Sequence, residues 1–280
     1  MTIAESLKHA AKRLLESGVP EHVREGSSLL QLALERDRVF LVAHPEYELS
    51  PEERARFISV LERRVAREPL QYITGRQEFC GLEFLVTPDV LIPRPETEML
   101  VERSIELLRR AHDPLFADIG IGSGCIAISV LHGVPQARAH GFDISVRALE
   151  LVSRNAGLHG VGERLSLFES DIYSAVNRRD YALIVSNPPY VPVDEIDGLQ
   201  PEVKDFEPHS ALTDGGDGLS VIRDLIKHAP YFLRPGGSLV LEIGFGQATA
   251  VSDMFDPKLW RNEFVPDSQH VLRMVTAKIA

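Results

Sequence analysis

The sequence predicts an α/β protein in which a small helical bundle precedes a doubly wound, mostly parallel sheet. Three observations carry this expectation. The first seventy or so residues show only helical periodicity, with apolar side chains recurring three and four apart. From Leu115 onward, short apolar runs alternate with helical patterns, which means strands joined by crossover helices. Between the two lies "QEFCGLEFLVT" (Gln77 to Thr87), rich in Phe, Leu and Val with a central glycine, which reads as a hairpin.

The elements follow in order. Thr2 and Glu5 form a capping box for a first helix whose stripe is Ile3, Leu7, Ala11, Leu14 and Leu15, ended by Gly18. Pro20 suits the first turn of a second helix, which carries Leu29, Leu30, Ala33 and Leu34. Ser50-Pro51-Glu52-Glu53 caps a third, running through Phe57, Leu61 and Val65. Short loops between such helices point to a bundle. After the hairpin, Pro95 starts a long helix. The runs "LFADIG", "ARAHGFD", "LSLFESD", "YALIVSN" and "SLVLEIG" then supply parallel strands. The tail "NEFVPDSQHVLRMVTAKI" reads as an antiparallel edge pair. The expected division is residues 1–72 helical, 73–93 hairpin linker and 94–280 sheet domain.

Composition narrows the function. A formal net charge of -11 argues against coating nucleic acid, because phosphate binding needs clustered Lys and Arg. The basic run "ERRVAR" (Glu62 to Arg67) reads as a solvated helix face. Cys80 and Cys125 cannot build a disulfide framework or a Cys-rich metal site. The 10 histidines show no HExxH or Cys-x-x-Cys spacing, so no metal is expected. No apolar run reaches the length of a membrane span, and "MTIAESLKHAAKRL" lacks a signal peptide's apolar core. The expectation is a cytoplasmic protein with no membrane partner.

Two stretches carry chemistry. "FADIGIGSGCIAISVL" (Phe116 to Leu131) is a strand, a glycine-rich turn and an apolar helix. Glycines let a backbone approach a ligand closely, and the helix N-terminus favours polar or anionic groups. The third glycine of a dinucleotide G-x-G-x-x-G would fall at Cys125; the spacing is instead Gly120-Ile121-Gly122-Ser123-Gly124, which weakens that ligand class. No Gly-Lys-Ser/Thr follows, so a P-loop is excluded. Asp143, at the end of the next strand, can accept both hydroxyls of a ribose. Asp171 closes the strand after that, where an adenine would lie beside Ile172. Either aspartate alone would be an ordinary helix cap; in this order they describe a nucleoside-like ligand.

The second stretch is "SNPPY". Asn187 ends the fourth strand on the same rim, and Pro188 and Pro189 lack N–H donors, so the turn presents unoccupied carbonyl oxygens. The Asn187 amide oxygen and the Pro188 carbonyl together can grip both hydrogens of a planar –NH2 group, with the Tyr190 ring as a stacking face. Two such acceptors favour a pyramidal nitrogen, as attack on a methyl group requires.

These motifs, with "PLQYITGRQEFCGLEFLVTPDVLIPRPETEMLVE", "PEVKDFEPHSALTDGGDGL" and "LRPGGSLVLEIGFGQ", closely resemble the PrmC/HemK family from Pro69 to Gln247. The resemblance implies a helical substrate-recognition domain joined by a hairpin to a Rossmann-like, seven-stranded methyltransferase domain. It implies S-adenosylmethionine as cofactor, leaving S-adenosylhomocysteine, and methylation of the Gly-Gly-Gln glutamine amide in class I peptide-chain release factors. A monomer is expected. By position, Gly120, Ile121, Gly122, Ser123, Gly124, Asp143, Asp171, Ile172 and Asn187 would hold the cofactor. Asn187, Pro188, Pro189 and Tyr190 would hold the glutamine. Three departures stand out: Ile121 where many members have Thr, Ile172 where some have an aromatic, and a tail without the usual Asp-Leu-x-Gly-x-x-Arg. The rival is an adenine or cytosine amino-methyltransferase acting on DNA or RNA, which would need a basic cleft that this acidic chain does not advertise. A binding module without catalysis would have no need of an intact Asn187. His209 reads as a surface or packed histidine.

Overall fold

The computed structural model describes residues 1–280, in two compact units. One comprises Met1–Arg76 with Gln200–Phe206, the other Gln77–Leu199 with Glu207–Ala280. Gln200–Phe206, which the sequence assigns to the sheet domain, therefore packs with the helices.

The first unit contains α1 (Ile3–Glu16), α2 (His22–Leu34), α3 (Arg38–Ala43), α4 (Pro51–Val65) and α5 (Leu70–Thr74). Both capping boxes form, at Thr2/Glu5 and Ser50/Glu53. The buried stripe of α1 is Ile3, Ser6, Ala10 and Leu14, whereas Leu15 is 58% exposed. Ser6 can occupy the buried face because its hydroxyl donates to the Thr2 carbonyl, a polar solution that an apolar template passes over. Pro20 precedes α2 rather than joining it, since Glu21 is the cap. Short α3, capped by Asp37 accepting the Phe40 amide, is too brief to show a period in the sequence. Leu29, Leu30, Phe57 and Leu61 form the core, each fully buried.

The hairpin, which from Gln77 on belongs to the second unit, is β1 (Arg76–Phe79) and β2 (Leu82–Leu85). Its turn, Cys80-Gly81, has φ 51° and 72°, the positive pair that matches strand twist. There follow α6 (Glu98–Arg109), β3 (Leu115–Ile119), α7 (Cys125–Gly133), β4 (Arg138–Asp143), α8 (Val146–Leu158), β5 (Leu165–Glu169) and β6 (Tyr181–Ser186). The short α9 (Pro201–Lys204) lies in the stretch that belongs to the first unit. The chain continues through α10 (His209–Leu212), α11 (Ser220–His228), β7 (Leu233–Glu242), α12 (Ala248–Ser252), β8 (Trp260–Pro266) and β9 (Leu272–Ile279).

Seven strands form one sheet in the order β5-β4-β3-β6-β7-β9-β8. The five from β5 to β7 are parallel, and β9 runs antiparallel to both β7 and β8. Central β3 and β6 are buried at every residue because helices cover both faces, which is why they read as mostly apolar runs, with Asp118 the one charged residue. Strand order reverses between β3 and β6, opening a crevice at their C-terminal ends. There the Ser186 hydroxyl donates to the Ile119 carbonyl at 2.6 Å and ties the two strand ends together. The strand that the sequence carries to Asp171 ends at Glu169. Beyond it the Ser170 hydroxyl donates to the Ile172 carbonyl and accepts the Ala175 amide, turning the chain out of the sheet. No helix is long and apolar enough to cross a membrane.

Candidate active site

At the crevice lies a cavity of about 300 Å³ lined by Gly120, Ile121, Gly122, Ser123, Asp143, Asp171, Ile172, Asn187, Pro188 and Pro189, among others. Two expected residues, Gly124 and Tyr190, are not on its wall. Gly124 has φ +81°, and a Cβ on it would lie 3.0 Å from both Ile128 and Val152. It serves the packing of α7 against α8 rather than the approach of a ligand.

The glycine turn is pinned by its own protein. The amides of Gly120 and Ile121 both donate to the Phe142 carbonyl, at 2.8 and 3.0 Å, and that of Gly122 donates to Asp143 Oδ2 at 2.9 Å. Behind it, the Ala127 amide in the first turn of α7 donates to Asp118 Oδ2 at 3.1 Å. Three consecutive amides are thus consumed and the helix end already faces a carboxyl group. These four amides are not free to hold a pyrophosphate, which agrees with the departure from the dinucleotide glycine spacing. Of the helix end that the sequence expects to favour anions, the Ala127 amide is taken by Asp118.

Asp143 accepts from Gly122 through Oδ2 and from the Ser145 amide through Oδ1, at 2.9 Å each. Burial raises its pKa against the pull of these amides. Each oxygen retains a lone pair for a hydroxyl. Ile121, 4% exposed, turns into the core; a Cβ on Gly141 would lie 2.3 Å from its δ-carbon, so that glycine makes the room for it. Its apolar side chain, packed in the core, offers nothing in place of a hydroxyl. Ile172 has φ 46°, a conformation costly for a β-branched residue, at the rim beside exposed Asp171.

On the other side, Thr97 and Glu242 complete a chain of hydrogen bonds. Asn187 Nδ2 donates to Thr97 Oγ1 at 3.2 Å, and Thr97 donates to Glu242 Oε2 at 2.7 Å. The Tyr190 hydroxyl donates to Glu242 Oε1 at 3.0 Å. Thr97 has one hydrogen and gives it to the carboxylate, so toward Asn187 it must accept. This sets the Asn187 amide with its nitrogen inward and leaves Oδ1 without a protein donor. Burial raises the Glu242 pKa despite both donors, and burial followed by the Glu242 charge raises that of Tyr190. The Tyr190 ring packs against Gly244, where a Cβ would come within 3.2 Å of its Cδ2, so it buttresses the turn from behind.

The loop after α10 holds that turn. Asp214 accepts the amides of Gly216, Gly218 and Ser220 and the Ser220 hydroxyl. Burial opposes its charge, but these donors hold its pKa at about 2. Gly218 passes so close to the turn that a Cβ would lie 2.1 Å from the Tyr190 carbonyl oxygen. Gln247 Nε2 donates to the same carbonyl at 2.9 Å. Thr97, Glu242, Asp214, Gly218 and Gln247 all escaped the functional assignment from sequence. Glu242 alone carried a signal, as a lone acid in the apolar run "SLVLEIG", where a charge must be paired to be buried. His209 is exposed and does not line the cavity.

Comparison with known proteins places these features. The model of the PrmC N-terminal domain matches residues 5–75, and that of the methyltransferase small domain matches residues 97–198. A release factor glutamine methyltransferase from Geobacter sulfurreducens is 46% identical over 255 residues, covering 91% of this chain and 88% of that protein. One from Cereibacter sphaeroides is 41% identical over 282 residues, covering 100% and 99%. A solved methyltransferase from Pyrococcus furiosus has the same fold at 14% identity, with a TM-score of 0.54 over 82% of this chain and 98% of that one.

Proposed function

The chain belongs to the release factor glutamine methyltransferase family, and we propose that it methylates the side-chain amide nitrogen of the Gly-Gly-Gln glutamine in class I peptide-chain release factors. The work would be done in the cytoplasm, by a monomer acting on a folded protein. Residues present fit S-adenosylmethionine: a glycine-rich turn on the cavity wall and an aspartate beside it with spare acceptors. Gly120, Ile121, Gly122, Ser123, Asp143, Asp171 and Ile172 would hold it. When bound, it supplies a sulfonium-activated methyl group.

The chain's own residues prepare the nitrogen. An amide nitrogen is a poor nucleophile because its lone pair is delocalised into the carbonyl. Asn187 Oδ1, held outward through Thr97 and Glu242, accepts one of its hydrogens, and the Pro188 carbonyl accepts the other. These acceptors bind a pyramidal nitrogen better than a planar one, which is differential stabilisation of the transition state. No strong base is needed, since the proton is acidic once the methyl has arrived. Pro189 stiffens the turn, and Tyr190, anchored on Glu242, buttresses it.

The hydrogen-bond direction at Asn187 is the observation that carries this reading. The cavity wall argues for protein over nucleic acid: its lining includes Asp89, Asp143, Asp171 and Asp214 against a single cation, Arg94, itself paired to Glu207 at 2.5 Å. Incubation of a class I release factor with this protein and S-adenosylmethionine, followed by mass spectrometry, tests the reading. One added methyl on the Gly-Gly-Gln peptide is expected; an unmodified peptide, or faster transfer to DNA or RNA, contradicts it.

A further inference from the structure

Asn155, fully buried in the last turns of α8, uses its side-chain amide three times. Its Oδ1 accepts the Leu85 amide hydrogen at 2.9 Å. Its Nδ2 donates to the Leu85 carbonyl at 3.0 Å and to the Ser123 carbonyl at 2.9 Å. Toward Leu85, at the end of β2, the side chain does what a neighbouring strand would do, taking one residue's N–H and giving to its C=O. Toward Ser123 it gives its second hydrogen to the glycine-rich turn. These partners fix which end of the amide is nitrogen, since the carbonyls can only accept. A buried side chain of this size can do all three only as an amide: Asp has no hydrogen to give, and Leu, of similar volume, neither donates nor accepts.

Both partners border the cavity. Ser123 is on its wall, and the Ser123–Gly124 peptide is gripped at both edges. Asn155 holds its oxygen, and the Ile121 carbonyl accepts the Gly124 amide at 2.9 Å. Leu85 opens the segment that supplies Asp89, Val90 and Leu91 to the same cavity. That segment lies along α8: Val90 packs with Ala148 and Leu151, and Leu85 packs against the three of them. Ala148, Leu151 and Asn155 recur three and four apart, so one face of the helix carries the whole contact. At Asn155 that face changes from packing to hydrogen bonding and reaches the hairpin end and the glycine turn at once.

We propose that Asn155 is a positioning residue for the cofactor: its one buried amide holds the glycine-rich turn and the 85–91 segment in register, so that S-adenosylmethionine meets both walls together. The hairpin, expected from sequence only to link, thereby belongs to the frame of the cofactor site. That these two walls face the cofactor rests on the proposed function.

Asn155→Leu keeps the volume and removes all three bonds; Asn155→Ala removes the volume as well. Phe255→Ala, which strips a packing partner from Trp260 on the edge strand farthest from β4 and β5, controls for lost stability alone. In both Asn155 variants, S-adenosylhomocysteine affinity by calorimetry should weaken by about tenfold. The KM for S-adenosylmethionine should rise by a similar factor, with kcat on a release factor within about threefold of wild type. Amide hydrogen exchange in the free variants should quicken at both 85–91 and 120–124. Phe255→Ala should melt at a lower temperature with cofactor affinity unchanged. Wild type supplies a check that needs no variant to fold: saturating S-adenosylhomocysteine should slow exchange at the Leu85 amide as well as at 120–124. Four results overturn the proposal: affinity within twofold of wild type in Asn155→Leu, an equal loss in Phe255→Ala, faster exchange confined to 85–91, or a Leu85 amide indifferent to the ligand. Should wild type bind neither S-adenosyl compound, the proposed function fails, and exchange in the free proteins still decides whether Asn155 couples the two segments.

Discussion

Tyr190 donates its hydroxyl hydrogen to Glu242 at 3.0 Å, and that acceptor is a carboxylate only 2% exposed at the end of β7. The other oxygen of Glu242 accepts from Thr97, which accepts from Asn187. A buried acid thus fixes both ends of the Asn187–Tyr190 turn, one through a phenol and one through a hydroxyl relay. Neither end of the turn can rotate without leaving a donor buried and unmade.

Glu242→Gln should therefore act at a distance. An amide offers one oxygen where the carboxylate offered two, so either Thr97 or Tyr190 loses its acceptor. Turnover is expected to fall by about tenfold or more, and stability by about 1–3 kcal/mol, with cofactor affinity unchanged. Steady-state kinetics and thermal melting check this; a variant with normal turnover would uncouple the relay from the reaction.

Asn187→Ala removes the proposed acceptor itself. By analogy with deleting one oriented donor of an oxyanion hole, kcat should drop by about 10²–10³-fold with little change in cofactor affinity. If the effect falls on KM alone, Asn187 only places the substrate.

Asp143→Ala should weaken S-adenosylmethionine binding by roughly ten- to a hundredfold, since a charged acceptor for hydroxyls is lost. The structure adds a second expectation. The amides of Gly122 and Ser145 lose their acceptor too, so the free protein should melt at a lower temperature. Equal affinity in calorimetry would remove Asp143 from the cofactor site.

Asp118 should give the protein an unusual pH dependence. Full burial raises its pKa to about 7, with the Ala127 amide pulling down and the Asp143 charge pushing up. Its Oδ1 is buried without a partner. The folded state then keeps a proton that the unfolded chain releases near pH 4, so this contribution to stability is full at low pH and fades as pH rises toward 7. Between about pH 5 and about pH 7 it amounts to about 2 kcal/mol. Urea unfolding at both pH values should show that loss in wild type and not in Asp118→Asn; equal slopes in the two proteins would refute it.

Much of this protein was legible in its sequence, because the signals were local. Hydrophobic period distinguished helices from strands, the Thr2/Glu5 and Ser50/Glu53 pairs marked helix starts, and apolar runs at 115–119 and 181–186 marked strands buried on both faces. Strand-end position then put Gly120, Asp143 and Asn187 on one rim, as a parallel sheet must. What only the tertiary structure decided were relationships between residues far apart in the chain. Thr97 meets Asn187 and Glu242 across β6 and β7; Gly218 meets the Tyr190 carbonyl; Gly141 makes room for Ile121; and Arg67 reaches Glu202. None of these has a period or a spacing, so no window of sequence contains them. The physical reason is that a side chain's partner is chosen by packing. A buried donor or charge must find an acceptor wherever the fold brings one, and which one it finds is settled only when the strands, helices and loops have closed around it.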